Sequence, residues 1–143
     1  MVAYTPAAVA VVARAQVEAR QLGYPFIQRE QLFLALLTNE AVSRICKLLA
    51  VDPESIRVEL TNRLLPGLGA GDEGEELPLL PTAEQVYRHR AHTAATLLGH
   101  TQIGPVDILL GFLLEQHGLV VEVLHAMNIT TDRVIGAIQA LDS

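Results

Sequence analysis

Three observations predict an all-α fold of eight helices, arranged as two pseudo-twofold four-helix repeats. First, residues 27–37 (IQREQLFLALL) make a short polar turn followed by a nearly continuous apolar helix, and the pattern returns at residues 103–113 (IGPVDILLGFL). Second, at a fixed offset of 76, residues 4–37 align with 80–113 without a gap. Nine of those 34 pairs are identical, where about three would match by chance in so Ala- and Leu-rich a chain. Third, half of the 143 residues are apolar while only 4% are aromatic and none is Trp. Such a core of Leu, Val, Ile and Ala suits closely packed helices better than a β-sandwich.

Each element has a local reason. Thr5-Pro6 opens the first helix, because Thr can accept the orphan amide bonds and Pro is tolerated at the first helical position. Ala8, Val11, Val12, Ala15, Ala19 and Leu22 follow at helical spacing, and Gly23 is placed to end the helix in a left-handed conformation. The second helix, roughly residues 28–38, is too hydrophobic for a surface and should be buried. A third covers about 41–50. Asp52-Pro53 caps a fourth, which carries Ile56, Leu60 and Leu64 on one face. Pro66 stops it.

Residues 67–80 contain four glycines, one proline and the acidic run Asp72-Glu73-Gly74-Glu75-Glu76, a composition expected of a mobile linker. Thr82 with Gln85 reads as a capping box that starts the second half. Beyond residue 113 the offset becomes 78, pairing Ile45 with Val123, Ile56 with Val134 and Leu60 with Ile138. The second copy thus carries two extra residues around Gln116-His117-Gly118. The organisation expected is repeat 1 over 1–66, a linker over 67–80 and repeat 2 over 81–143. The repeats should share one core, since a four-helix unit this small buries its face poorly alone.

Composition excludes several function classes. A formal charge of −6 and a single lysine, Lys47, argue against a nucleic-acid binder, which needs a basic stripe to neutralise phosphates. The apolar runs at 32–37 and 108–114 are too short to span a bilayer, and the N-terminus shows no secretory signal. The lone Cys46 precludes an internal disulfide and fits a reducing compartment. A cytoplasmic protein is expected. No Walker-type phosphate loop or dinucleotide fingerprint occurs, so the chain is not an ATPase by itself and no cofactor is expected.

Few residues suggest chemistry. All five histidines lie in the second half, and His89 and His92, three apart on one helix, could present two imidazoles to a metal. They carry the alternative reading, a small helical metal-dependent enzyme, but no acidic residue follows at ligand spacing and a polar helix face explains them as well. Cys46 sits among Ile45, Leu48 and Leu49 and reads as a buried structural thiol. The acidic run could meet a basic partner or simply be solvated. Glu30 stands apart. It occupies the first turn of an otherwise apolar helix, where the macrodipole favours an anion, and is either an electrostatic cap or a carboxylate held beside Thr5 for a cationic ligand group.

Thr-Pro, an Ala-rich helix, Leu-Gly, then Ile-x-x-Glu-x-Leu-x-Leu-Ala-Leu-Leu, repeated in order over residues 5–65 and 81–141, resembles the Clp N-terminal repeat. That double four-helix domain stands at the front of Clp-type AAA+ unfoldases, and free-standing relatives attach to Clp machinery as accessory subunits. The resemblance implies a non-catalytic protein-binding module. Its partners would be a Clp unfoldase or peptidase and substrate or adaptor proteins, with no nucleic acid and no membrane. Some relatives recognise phosphorylated arginine through a Glu and the Thr that opens each repeat. Carried over, the first site would be Thr5 with Glu30, flanked by Arg29 where the family has Thr. The second would be Pro81 with Val106, which lack both the hydroxyl and the carboxylate and should not bind that ligand.

The start at Met1 and the end at Asp142-Ser143 favour a free-standing chain over the excised front of an unfoldase, with both left open. An acidic module of this kind should prefer neutral or basic apolar segments in a helix-lined groove. A regulator that holds a small apolar ligand between the repeats is a third reading, for which the sequence offers no polar anchor.

Overall fold

The computed structural model describes residues 3–65, 67 and 76–142. The first repeat contains α1 (Pro6–Gln21), α2 (Arg29–Leu36), α3 (Glu40–Leu48) and α4 (Pro53–Arg63). The second contains α5, one unbroken helical run built from Pro81–Gln85, a π turn at Val86–Arg90 and Ala91–Leu98. It continues with α6 (Pro105–Leu114), α7 (Leu119–Ala126) and α8 (Thr131–Asp142). Among the described residues these are the eight helices expected.

The two apolar helices occupy the centre. Leu32 to Leu36 of α2 and Ile108 to Leu113 of α6, Gly111 aside, are essentially inaccessible, and Phe33 meets Phe112 edge-on at 5.3 Å between ring centroids. An edge-to-face pair gains from the ring quadrupoles beyond the area it buries. The remaining helices lay one apolar face each on this centre: Ala8, Val11, Ala15 and Ala19 from α1, Val42 and Ile45 from α3, Ile56 and Leu60 from α4. Small residues on α1 let its backbone approach α2 closely.

Caps end the helices where the residues allow. Thr5 Oγ1 accepts the Ala8 amide, Asn39 Oδ1 the Val42 amide and Asp52 Oδ1 the Glu54 amide. Gly23 and Gly99 both take the left-handed conformation that ends α1 and α5 (φ 79° and 73°). Ala50 and Asn128 are also left-handed and stand 78 residues apart, the offset expected for the second pair of helices. The two-residue insertion shows as positive φ at Gln116 and Gly118.

The gapless offset of 76 does not hold at the start of the repeat. Pro6 and Pro81 are the first residues of their helices, and the buried pairs are Ala8 with Ala83 and Val11 with Val86, all 75 apart. From Ala15 and Ala91 onward the buried pairs are 76 apart. The register changes across the π turn at Val86–Arg90, which absorbs one extra residue within a continuous helix. The expected Thr82–Gln85 capping box is absent, since Leu80 is the capping residue and Thr82 lies inside the helix. The Tyr87 carbonyl accepts a 2.7 Å hydrogen bond from the Tyr4 hydroxyl, and the two tyrosine rings stack at 4.5 Å. Gly111 makes room for the widened turn: a Cβ there would come within 2.9 Å of the Ala91 amide nitrogen.

The repeats are joined by exchange. β1 (Ala3–Tyr4), which leads into α1, pairs in parallel with β2 (Gln102–Ile103), which leads into α6. Its counterpart is a single parallel bridge between Leu79, ahead of α5, and Ile27, ahead of α2. The Thr5 amide donates to Ile103 O and the Leu80 amide to Ile27 O, both at 2.9 Å. The linker expected over 67–80 is therefore anchored at its described ends. Leu77 is buried and exchanges two hydrogen bonds with the Gln16 amide, Pro78 O accepts from Ile27, and the Gly67 amide donates to Leu22 O. Pro66 and the acidic run 72–75 lie outside the described residues.

Candidate functional site

The exchange of strands decides which candidate residues meet. Thr5, opening α1, lies beside the start of α6, where it lines a shallow hollow of about 440 Å³ with His100, Thr101, Gly104, Val106 and Asp107. Glu30 sits at the start of α2, and the segment that pairs with the approach to α2 is the one that opens α5. Ala7 and Ala10 of α1 face Thr38 and Asn39 just past the end of α2. Thr5 is thus at the opposite end of α2 from Glu30, about 12 Å along the axis at 1.5 Å per residue. The expected pairing of Thr5 with Glu30 is corrected: each helix opening meets the other repeat's turn. The counterpart of Thr5 is Leu80, not Pro81, so one seam combines Thr5 with Val106, while at the other the segment carrying Leu80 and Pro81 pairs with Ile27, ahead of the helix that Glu30 opens.

This arrangement was hidden in the sequence because the alignment carried no gap. Pro6/Pro81, Ala8/Ala83 and Val11/Val86 are three identities at offset 75 that would have revealed it. The swap itself has no sequence signal, because two-residue strands are too short to show a period.

Glu30 is a half-buried carboxylate with no hydrogen bond or ion pair from another described side chain. Burial pushes its carboxyl above the usual range, outweighing the opposing charge of Arg29 and a backbone hydrogen bond. Arg29 does not turn onto Glu30. Its guanidinium lies against Gly118, the residue before α7, where a Cβ would come 3.2 Å from Nη2. The inserted turn of the second repeat is therefore the seat of Arg29. The N3 residues of the two central helices, Gln31 and Asp107, are both buried and accept the capping-residue amides of Gln28 and Gly104 at 2.7 and 2.8 Å.

The other candidates offer less. His89 and His92 are exposed on α5, and no group of three His, Cys, Asp or Glu side chains able to hold a metal occurs among the described residues. Cys46 is buried in the core, and burial pushes its thiol up to about 11, so it is un-ionised near neutrality. No described helix is long and apolar enough to cross a membrane.

A second hollow of about 340 Å³, between α1 and α4, is lined by Glu18, Arg57, Glu54 and Val58. Arg57 donates to both carboxylate oxygens of the buried Glu18 and to Leu34 O, so this charge is spent inside the protein.

Known proteins resemble the chain in both sequence and fold. Residues 3–89 match the family model described as the Clp repeat (R) N-terminal domain. The chloroplastic chaperone protein ClpC1 of Oryza sativa subsp. japonica is 32% identical over 127 residues, covering 87% of this chain and 14% of that protein. A ClpA homolog of Guillardia theta, an ATP-binding subunit of Clp protease, is 32% identical over 133 residues, 92% of this chain and 16% of its own length. The chain therefore spans about one seventh of these curated relatives. Among solved structures, the Hsp104 N-terminal domain of Candida albicans superposes with a TM-score of 0.78 at 14% identity, covering 99% of this chain and 92% of that one. The N-domain of ClpV from Vibrio cholerae gives 0.76 at 11% identity, covering 94% and 82%. A ClpV N-domain solved in complex with a VipB peptide gives 0.66 at 10% identity, covering 94% and 88%. Two unequal helical repeats, a shared apolar centre and sequence matches spanning most of the chain lead to one conclusion: the chain belongs to the Clp repeat N-terminal domain family.

Proposed function

We propose that this chain is a non-catalytic protein-binding module that recognises segments of substrate or adaptor proteins on behalf of a Clp-type AAA+ unfoldase or peptidase. The observation that carries this reading is Glu30. No described side chain hydrogen-bonds this half-buried carboxylate, burial disfavours its charged form, and a cationic group placed beside it would relieve that cost. The apolar Leu80 and Pro81 lie on the segment that pairs with the approach to the Glu30 helix, which suits a bound segment in which a basic residue accompanies apolar ones. Arg29, seated on the Gly118 turn, would set the edge of that groove. Thr5, at the other exchange seam, offers a hydroxyl beside Val106, so the two seams differ in what they can hold. The ClpV N-domain solved with a VipB peptide supports peptide binding by this fold.

The test is fluorescence anisotropy with 15-residue peptides of matched apolar content that are basic, neutral or acidic. The basic set should bind best, and Glu30→Gln should weaken it about tenfold while leaving the far-UV circular dichroism unchanged. Thr5→Ala should leave the basic set unaffected. Equal binding of all three sets, or an undiminished Glu30→Gln, would refute the role of Glu30. A chain that binds no peptide and no Clp unfoldase or peptidase would refute the function itself.

A further inference from the structure

His100 follows the left-handed Gly99 at the end of α5, and its ring is held between carboxylates from two other helices. Nδ1 lies 2.7 Å from Oδ1 of Asp107 and Nε2 lies 2.8 Å from Oδ2 of Asp142. Asp107, in the first turn of α6, is 1% exposed, and its second oxygen accepts the Gly104 amide. Asp142 belongs to the last turn of α8, and its side chain is 53% exposed. Among the described residues, these two carboxylates are the charged groups that act on the ring. The neighbouring groups from α1 and the loop are the hydroxyls of Thr5 and Thr101.

An ionised carboxylate only accepts hydrogen bonds, so two simultaneous bonds require a proton on each ring nitrogen, as in the imidazolium. A neutral ring between a protonated Asp107 and an ionised Asp142 is the same cluster with its proton moved, so the titration belongs to the group as a whole. Loss of that proton leaves one N–H for two carboxylates. The remaining N–H stays with Asp107, which is buried and tied to the Gly104 amide. Asp142 can be rehydrated, and it would otherwise face the Nε2 lone pair at contact distance.

We propose that His100 is a proton-operated latch, which when protonated fastens the C-terminal turn of α8 to the α5–α6 loop at the rim of the Thr5 hollow, and when deprotonated releases it. Burial opposes the charged ring, but the hydrogen bonds and charges of Asp142 and Asp107 outweigh burial and raise its pKa above the usual 6.5. Burial likewise raises Asp107, against the Gly104 amide and His100, which also favours keeping the shared proton in the cluster. The latch is therefore closed below the ordinary histidine value and opens as the pH rises through the raised one.

Nuclear magnetic resonance titration of the His100 ring, with amide protection factors for residues 139–142 from pH 5 to 9, tests this on the chain and on Asp142→Asn. The carboxamide can accept from the protonated ring and donate to the bare nitrogen of the neutral one, and Asp142 lies at an exposed helix end, so the variant keeps its fold. In the unaltered chain, protection of the α8 terminus should fall about tenfold across the His100 titration while that of α6 stays constant. Asp142→Asn should lower the His100 midpoint and remove the pH dependence. Protection that is flat with pH, or a dependence that survives Asp142→Asn, would overturn the latch.

Discussion

Arg57→Ala should be among the most damaging single substitutions in the chain. Glu18 is 2% exposed, and Arg57 reaches both its oxygens at 3.0 and 3.1 Å while also donating to Leu34 O at 2.9 Å. Truncating the arginine leaves a buried carboxylate whose remaining partner is Arg14, 3.3 Å away and half exposed. Breaking a buried pair by removing one member costs about 3–5 kcal/mol, and the surviving Arg14 contact places this case near the lower end. At about 3 °C per kcal/mol for a chain of this size, Tm should fall by roughly 9 °C.

The second repeat supplies the control. At the matching positions it has Ala94 and Ile135, a packed apolar pair in place of the charges. The double variant Glu18→Ala, Arg57→Ile should thus lie within about 1 kcal/mol of the unaltered chain, because it removes both desolvation penalties together with the attraction. Urea denaturation of the two singles and the double gives the coupling energy directly. An Arg57→Ala cost below about 1 kcal/mol, or a double variant no better than that single, would refute the account of Glu18 as a buried charge dependent on its partner.

Gly111→Ala should destabilise by about 1–3 kcal/mol despite the better helix propensity of Ala, since its Cβ would press on the backbone of Arg90 and Ala91 at 2.9–3.2 Å. Gly136→Ala in α8, with nothing within 4 Å of the new Cβ, should instead stabilise by about 0.5–1 kcal/mol. Thermal denaturation of the pair decides the point, and equal shifts would mean that the π turn does not crowd Gly111. Cys46, with its thiol raised to about 11, should react with iodoacetamide at pH 8 far more slowly in the folded chain than in urea. A native rate equal to the unfolded one would show that the thiol is accessible.

The sequence by itself determined the helices, their duplication and the burial of the two central ones. Those features follow from local chemistry: an apolar run too continuous for a surface at 32–37 and 108–113, Pro after Thr or Asp at helix starts, and Gly at positions 23 and 99 where a left-handed residue is required. The insertion near Gly118 was legible too, because a change of offset leaves its mark in the pairing of apolar residues. The site was legible only as a set of residue types. Thr5, Arg29 and Glu30 could be named, yet which of them meet depends on β1 crossing to β2 and Leu79 to Ile27, contacts between parts of the chain some 50 to 100 residues apart. Such pairings are chosen by how two complete repeats bury one common core, and no window of sequence contains both partners. The π turn belongs to the same class, since one extra residue can be looped out or absorbed, and only the fit of α5 against Gly111 and Tyr4 decides which. His100 is the clearest case. Its two carboxylates lie 7 and 42 residues away, and only tertiary packing turns three ordinary polar residues into one titrating group.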